Sequence, residues 1–292
     1  MSRSLPSAAL AEARPKQWVK NVLVFAAPGA GGFLTDGAYL WRAVVMFVAF
    51  CMVSSGTYYW NDIRDVEQDR LHPRKQFRPI ASGDLPIGAA RVIGTVLLVG
   101  GIALAAVPRP EAAFVAFVYV VVTTSYTTVF KHIAVVDLVA VSAGFVLRAI
   151  GGAVATDVPM STWFLLTTSF ASLFIVTGKR YAELRELGES AQTRATLDDY
   201  SPEFLRTVLS VSCGAALVTY CIWAFETKEL AGATWPFYEL SIIPMGTALL
   251  RYTLIVEQGH GGAPEEVFAA DRTLQVLGLI WLVVFGLGVY VS

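Results

Sequence analysis

The chain has 292 residues, 55% of them hydrophobic and only 15% charged, against about 25% charged in an ordinary soluble chain. Its 22 Lys and Arg balance 23 Asp and Glu to a net charge of −1, so no global field favours nucleic acid. The composition excludes disordered and collagen-like chains, and three scattered cysteines without a CxxC pair, Cys51, Cys213 and Cys221, exclude a disulfide framework or a zinc site and leave an integral membrane protein.

Residues 1–13, MSRSLPSAALAEA, lack an apolar run of signal-peptide length and are expected to form a flexible cytoplasmic tail. A single all-α transmembrane domain is expected over residues 14–292. A spanning helix needs about 20 mainly apolar residues, and nine stretches qualify: roughly 17–34, 39–60, 87–107, 111–130, 132–155, 160–178, 203–225, 233–256 and 273–291. Pro28, Gly29, Gly31 and Gly32 interrupt the first, which is expected to be short or kinked. With a cytoplasmic N-terminus, 18 of the 22 Lys and Arg fall on the cytoplasmic side, so the positive-inside rule puts the C-terminus outside. Two cytoplasmic connections are long, 61–86 and 179–202, and function is expected there. Their placement hints at a duplicated four-helix unit.

The strongest chemical signal is NDIRDVEQD, Asn61 to Asp69. On a continuing helix Asn61, Asp62, Asp65 and Asp69 stack their oxygens on one face. Carboxylates at a helix C-terminus oppose the macrodipole and one another, so a cation is needed. Hard oxygens from one face suit Mg²⁺, which keeps waters and bridges to substrate phosphates. Arg70, Arg74, Lys75 and Arg78 follow within nine residues, and carboxylates beside Lys and Arg resemble a metal–phosphate clamp. The bland alternatives are a solvated helix end and a topology loop.

Further along, Lys179, Arg180, Tyr181 and Glu183 end the sixth stretch. Helix-end cations are favourable in themselves, yet the likeness to the first loop makes them phosphate-binding candidates. Asp198, Asp199 and Tyr200 precede Pro202 and suit either an N-cap or ligand contact. Lys16, Lys20 and Asn21 in RPKQWVKN, and Lys131 with His132, are topology anchors or phosphate contacts. Asp137 and Arg148 are intramembrane charges three helical turns apart, expected to pair within the bundle. His72, His132 and His260 have no ligand-like spacing. No Ser-His-Asp arrangement, Walker loop or GxGxxG occurs.

NDIRDVEQDR followed by RPIASG resembles the UbiA superfamily of intramembrane prenyltransferases, whose NDxxDxxxD helix coordinates Mg²⁺ on a diphosphate. The likeness runs over nearly the whole chain from about Arg14 and implies a nine-helix UbiA-like bundle, with polar loops over a central cavity. RPKQWVKN, KHIAVVDLVAVSAGFVLRAIGG and GKRYAEL look like the decaprenyl-phosphate phosphoribosyltransferase branch. That resemblance implies transfer of ribose 5-phosphate from phosphoribosyl pyrophosphate to a polyprenyl phosphate, with inversion at C1, toward cell-wall arabinan precursors. It also implies a multi-pass protein of the bacterial plasma membrane with a cytoplasmic active site. Asn61, Asp62, Asp65 and Asp69 are then the Mg²⁺ ligands, with the three aspartates catalytic. Lys16, Lys20, Asn21, Arg74, Lys75, Arg78, Lys131, Lys179, Arg180, Tyr181 and Glu183 are the substrate contacts. The partners are the sugar donor, the lipid phosphate and the bilayer, with no nucleic acid and a homo-oligomer left open. Where typical UbiA enzymes repeat DxxxD after the sixth helix, this chain reads Lys179-Arg180-Tyr181-Ala182-Glu183, which favours a phosphorylated sugar over a prenyl diphosphate. The alternatives are a prenyltransferase acting on an aromatic acceptor, and a transporter.

Overall fold

A computed structural model describes residues 3–187, 199–259 and 262–291, so Asp198 and His260 lie outside the described residues. The regular elements among these residues are all helices, without a strand. Seven helices are long and apolar enough to cross a membrane: Gly37–Arg64, Ile87–Ala105, Pro110–His132, Val136–Thr156, Pro202–Ala231, Phe237–Glu257 and Arg272–Tyr290. The chain is a multi-pass membrane protein. The sixth expected span is a helix too, Thr162–Leu187, and the first expected span is built differently.

Contacts divide the chain into two compact units. The first comprises Met1–Gly29, Phe33–Thr128 and Leu147–Pro159. It begins with α1 (Leu5–Glu12), where a flexible tail is expected from the sequence. Alanine and leucine favour helix, Pro6 sits in the first turn, Ala8 is buried, and the Ala9 carbonyl accepts a 2.7 Å hydrogen bond from Tyr59 Oη. The tail is thereby tied down.

Pro15–Phe25 is a 3₁₀ helix, continued by α2 (Ala26–Ala30). A 3₁₀ helix eclipses side chains every three residues, and the pattern of exposure has that period. Trp18, Asn21, Val24 and Ala27 face inward, while Lys16, Val19 and Val22 are exposed. Trp18 Nε1 donates to Ser55 Oγ at 3.0 Å and Asn21 Nδ2 to Cys51 Sγ at 3.2 Å, pinning the inward row to α3 (Gly37–Arg64). Gly152 permits the approach on another side, because a Cβ there would overlap the Val24 carbonyl.

After α3 come α4 (Val66–Leu71), α5 (Pro79–Ser82), α6 (Ile87–Ala105) and α7 (Pro110–Thr128). The core of this unit includes Met46, Phe50, Val53 and Tyr119, and a second cluster of Ala8, Tyr59, Val66, Ile80 and Leu85 lies under α4 and α5.

The second unit comprises Ala30–Gly32, Val129–Val146 and Met160–Ser292. It holds α9 (Thr162–Leu187), α10 (Pro202–Ala231), α11 (Phe237–Leu240), α12 (Ile242–Glu257), α13 (Pro264–Ala270) and α14 (Arg272–Tyr290). Leu138, Phe174, Leu205, Leu209, Tyr252 and Val256 belong to its core. The helix α8 (Val136–Thr156) gives its first half to this unit and its second half to the other.

Three expectations are corrected. Lys179 to Glu183 do not open a loop but lie within α9, because the run YAELREL is rich in helix formers beyond the point where hydropathy falls. The acidic ladder is not one helix: α3 ends at Arg64, Asp65 adopts φ −90° and ψ 8°, and α4 restarts at Val66. Asp137 and Arg148 do not pair with each other, since eleven residues of helix separate them by about 16 Å.

Candidate active site

The first unit gathers the aspartate motif with its cations. Asp62 and Asp69 are buried to 1% and 2% exposure, so their charge requires partners. Arg78 supplies them: its Nη1 lies 3.1 Å from Asp62 Oδ1 and 2.7 Å from Asp69 Oδ2. Arg14 Nη2 donates to Asp62 Oδ2, Asn61 Nδ2 donates to Asp62 Oδ1 at 3.1 Å, and Lys75 Nζ is 3.8 Å from Asp69 Oδ1. The kink at Asp65 lets the two helices turn Asp62 and Asp69 toward the same guanidinium. Asp65 itself is half-buried.

The RPIASG segment positions Arg78. Pro79 starts the single turn α5, Gly83 closes it at φ 84°, a left-handed conformation suited to glycine, and Leu85 N returns to Pro79 O at 2.9 Å. His72 holds the other end of the loop, its Nδ1 accepting from the backbone amides of Arg74 and Lys75 at 3.2 and 3.3 Å. The Arg74 and Arg70 side chains stay exposed, Arg70 pairing with Glu67 at 2.8 Å.

Two residues outside the sequence-derived set complete this cluster. Arg14 has a left-handed backbone, φ 54°, an uncommon conformation for a non-glycine residue, and its guanidinium stands 4.7 Å from the Tyr58 ring centroid. Glu12 is 1% exposed; burial first, and then the neighbouring Asp62, push its carboxyl up to about 8. It is therefore held as the neutral acid near pH 7 and adds no further negative charge to the pair. The only sequence signal for Arg14 is its place at the head of RPKQWVKN, and Glu12 has none.

Asn21 stands apart from the phosphate face expected for it. It is fully buried and accepts from Arg148 Nε at 2.7 Å, while Arg148 Nη2 donates to Tyr119 Oη at 2.9 Å. A period of three places Asn21 inward and Lys16 outward. Lys20 donates to Gln17 Oε1.

The second unit holds the remaining candidates. Arg180 is 3% exposed and engages Asp137 Oδ2 at 3.0 Å and Glu183 Oε2 at 2.9 Å. Tyr181 is buried, with its Oη 3.1 Å from both Glu257 Oε2 and Arg206 Nη2. Lys131 and Lys179 are half-buried. Tyr200 donates to Asp137 Oδ1; burial, reinforced by that bond, pushes its hydroxyl pKa up.

Among the described residues no group of three or more Asp, Glu, His or Cys could hold a metal ion by itself. Asp62 and Asp69 nevertheless fit a divalent ion as a two-carboxylate set, because one cationic nitrogen already sits within about 3 Å of both. Mg²⁺ is commonly held by one or two carboxylates, with water and substrate phosphates completing its shell.

The UbiA prenyltransferase family profile matches residues 22–283. The chain is 42% identical to decaprenyl-phosphate phosphoribosyltransferase of Corynebacterium glutamicum, over 95% of its length and 85% of that protein. It is 44% identical to the Mycobacterium tuberculosis enzyme of the same name, over 94% and 92% respectively. A UbiA homologue from Archaeoglobus fulgidus bound to GPP and Mg²⁺ shares the fold at a TM-score of 0.74, 18% identity, 98% of this chain and 100% of that one. Sequence and fold agree that the chain belongs to the UbiA prenyltransferase family.

Proposed function

We propose that the chain transfers the 5-phosphoribosyl group of phosphoribosyl pyrophosphate to a polyprenyl phosphate, decaprenyl phosphate by analogy with its relatives, and releases pyrophosphate. The observation that carries this reading is the 42–44% identity, over nearly the whole chain, to two decaprenyl-phosphate phosphoribosyltransferases. The second polar motif agrees with it. Its one carboxylate, Glu183, is paired to Arg180, which leaves little there for a second metal–diphosphate clamp.

Asp62 and Asp69, with Asn61 and Asp65 beside them, would hold Mg²⁺ on the donor pyrophosphate, where the ion supplies charge neutralisation of the leaving group. Arg78 and Arg14, which pair with the carboxylates, would also bind the phosphoryl oxygens of the donor. Lys75 and Arg74 extend that basic surface, and Lys16 and Lys20 guide the anionic substrates toward it. Lys131 and Lys179 contact a substrate phosphate, while Arg180, Tyr181 and Asn21 act behind the surface by holding helices in register. The acceptor phosphate is already ionised near neutral pH, so attack on C1 needs no strong general base. The site and the N-terminus face the cytoplasm, consistent with the basic loops, and the product enters cell-wall arabinan synthesis.

Purified protein with Mg²⁺ and a polyprenyl phosphate is expected to release pyrophosphate from phosphoribosyl pyrophosphate. Release only from a prenyl diphosphate with an aromatic acceptor would assign it to ordinary prenyl transfer instead.

A further inference from the structure

The segment between α7 and α8 carries Lys131 and ends at Val135, whose φ is 70°. A β-branched residue at positive φ is a strained outlier that persists only when its surroundings over-determine it. Among those surroundings is one side chain from far along the chain, beside the start of α8, where the Val139 amide donates to Val135 O at 3.1 Å. That side chain is Tyr200: the Val135 backbone N–H donates to its Oη at 2.6 Å, and that hydroxyl donates in turn to Asp137 Oδ1. Asp137 is fully buried, and its other oxygen is held by Arg180 Nη2 at 3.0 Å. The Tyr200 ring stacks on Phe204 with centroids 5.8 Å apart and planes at 12°, which fixes it to the first turn of α10. On the loop side, the amides of His132 and Ile133 return to Val129 O and Phe130 O, both at 3.1 Å, making one stiff turn from Val129 to Val135.

We propose that Tyr200, with Asp137 and Arg180 behind it, is a positioning clasp for the Lys131 loop, setting the place of a phosphate-binding lysine without touching substrate. The inference rests on the reading of Lys131 as a phosphate contact. A hydroxyl is required because it accepts from the strained amide and donates to the carboxylate at once. Phenylalanine keeps the stack and removes both bonds, so the Val135 amide and the Asp137 carboxylate each lose the hydroxyl that joins them.

The test is binding of pyrophosphate with Mg²⁺ to the full-length, detergent-solubilised protein, measured by calorimetry. Tyr200→Phe, which removes both hydrogen bonds, is expected to weaken binding about tenfold. Lys131→Ala is expected to weaken it as much, and the double variant no further, because one acts through the other. Val135→Gly, which relieves the strain, is expected to restore affinity in the Tyr200→Phe background, whereas a role in folding alone would restore only the melting temperature. Unchanged affinity in Tyr200→Phe, or additive losses in the double variant, would overturn the clasp. Asp62→Asn, measured alongside, separates the two readings: wild-type affinity there would overturn the metal site and leave the comparison of Tyr200 with Lys131 intact.

Discussion

Asp62 is the side chain on which the first unit's polar groups converge, with Arg14, Arg78 and Asn61 all donating to its carboxylate. Asp62→Asn keeps the shape but removes the charge that would hold the metal. Turnover is expected to fall about 10³-fold, ~4 kcal/mol of transition-state stabilisation, with the protein still folded by circular dichroism. At the other end of the chain, Asp271 accepts from Leu274 N at 2.8 Å as the N-cap of α14 and pairs with Arg251 at 2.6 Å. The bond from Arg251 first, then the capping amides, hold its pKa below the ordinary carboxylate value. A depressed native pKa gives stability that is present above the unfolded value, about 3.9, and is lost as pH falls through the native one. The melting temperature of the wild type is therefore expected to exceed that of Asp271→Asn at pH 7, and the two curves to converge below about pH 4. A gap that persists at low pH would reject this account. At this scale the sequence shows its limits. The acidic ladder and Arg78 are legible because the spacing of like charges demands a cation. Arg14 and Glu12 are not, because only the docking of α1 and the 3₁₀ segment brings them to Asp62.

Helix ends and helix type are harder to read from sequence. Hydropathy marks where lipid ends, not where a helix ends, so α9 runs nine residues past the 178 boundary of its apolar stretch, to Leu187. The 3₁₀ segment leaves a period of three in Trp18, Asn21 and Val24, but the same residues fit an α-helical reading over so short a run. Its packing makes a sharp prediction. Gly152→Ala puts a methyl into the Val24 carbonyl, and backbone there cannot yield as a side chain would. The cost is expected on the order of 2 kcal/mol, read as a lower melting temperature in detergent. Gly214→Ala is the matched control, since nothing lies within 4 Å of the methyl group it would add. It is expected to leave the melting temperature unchanged or slightly raised.

For the whole molecule, the nine apolar stretches read from the sequence point to an all-helical multi-pass membrane protein, since a run of about 20 apolar residues satisfies its own backbone in lipid as a helix; seven helices among the described residues are long and apolar enough to span. The division into two units is less visible, although each unit carries one of the two polar constellations that the sequence singles out. Asp137 and Arg148 illustrate why. They share a helix and read as partners, yet α8 is divided between the units, and each charge is paired within its own: Asp137 with Arg180 and Tyr200, Arg148 with Asn21 and Tyr119. Chain separation says nothing about such pairings, because the partners come from 29 to 127 residues away.

The identity of the transferred group is tested most directly by mass spectrometry of the lipid product. Protein incubated with Mg²⁺, phosphoribosyl pyrophosphate and decaprenyl phosphate is expected to yield a lipid carrying ribose 5-phosphate, with none formed by Asp62→Asn. A lipid fraction unchanged with this donor, together with a prenylated aromatic product when a prenyl diphosphate is supplied, would contradict it.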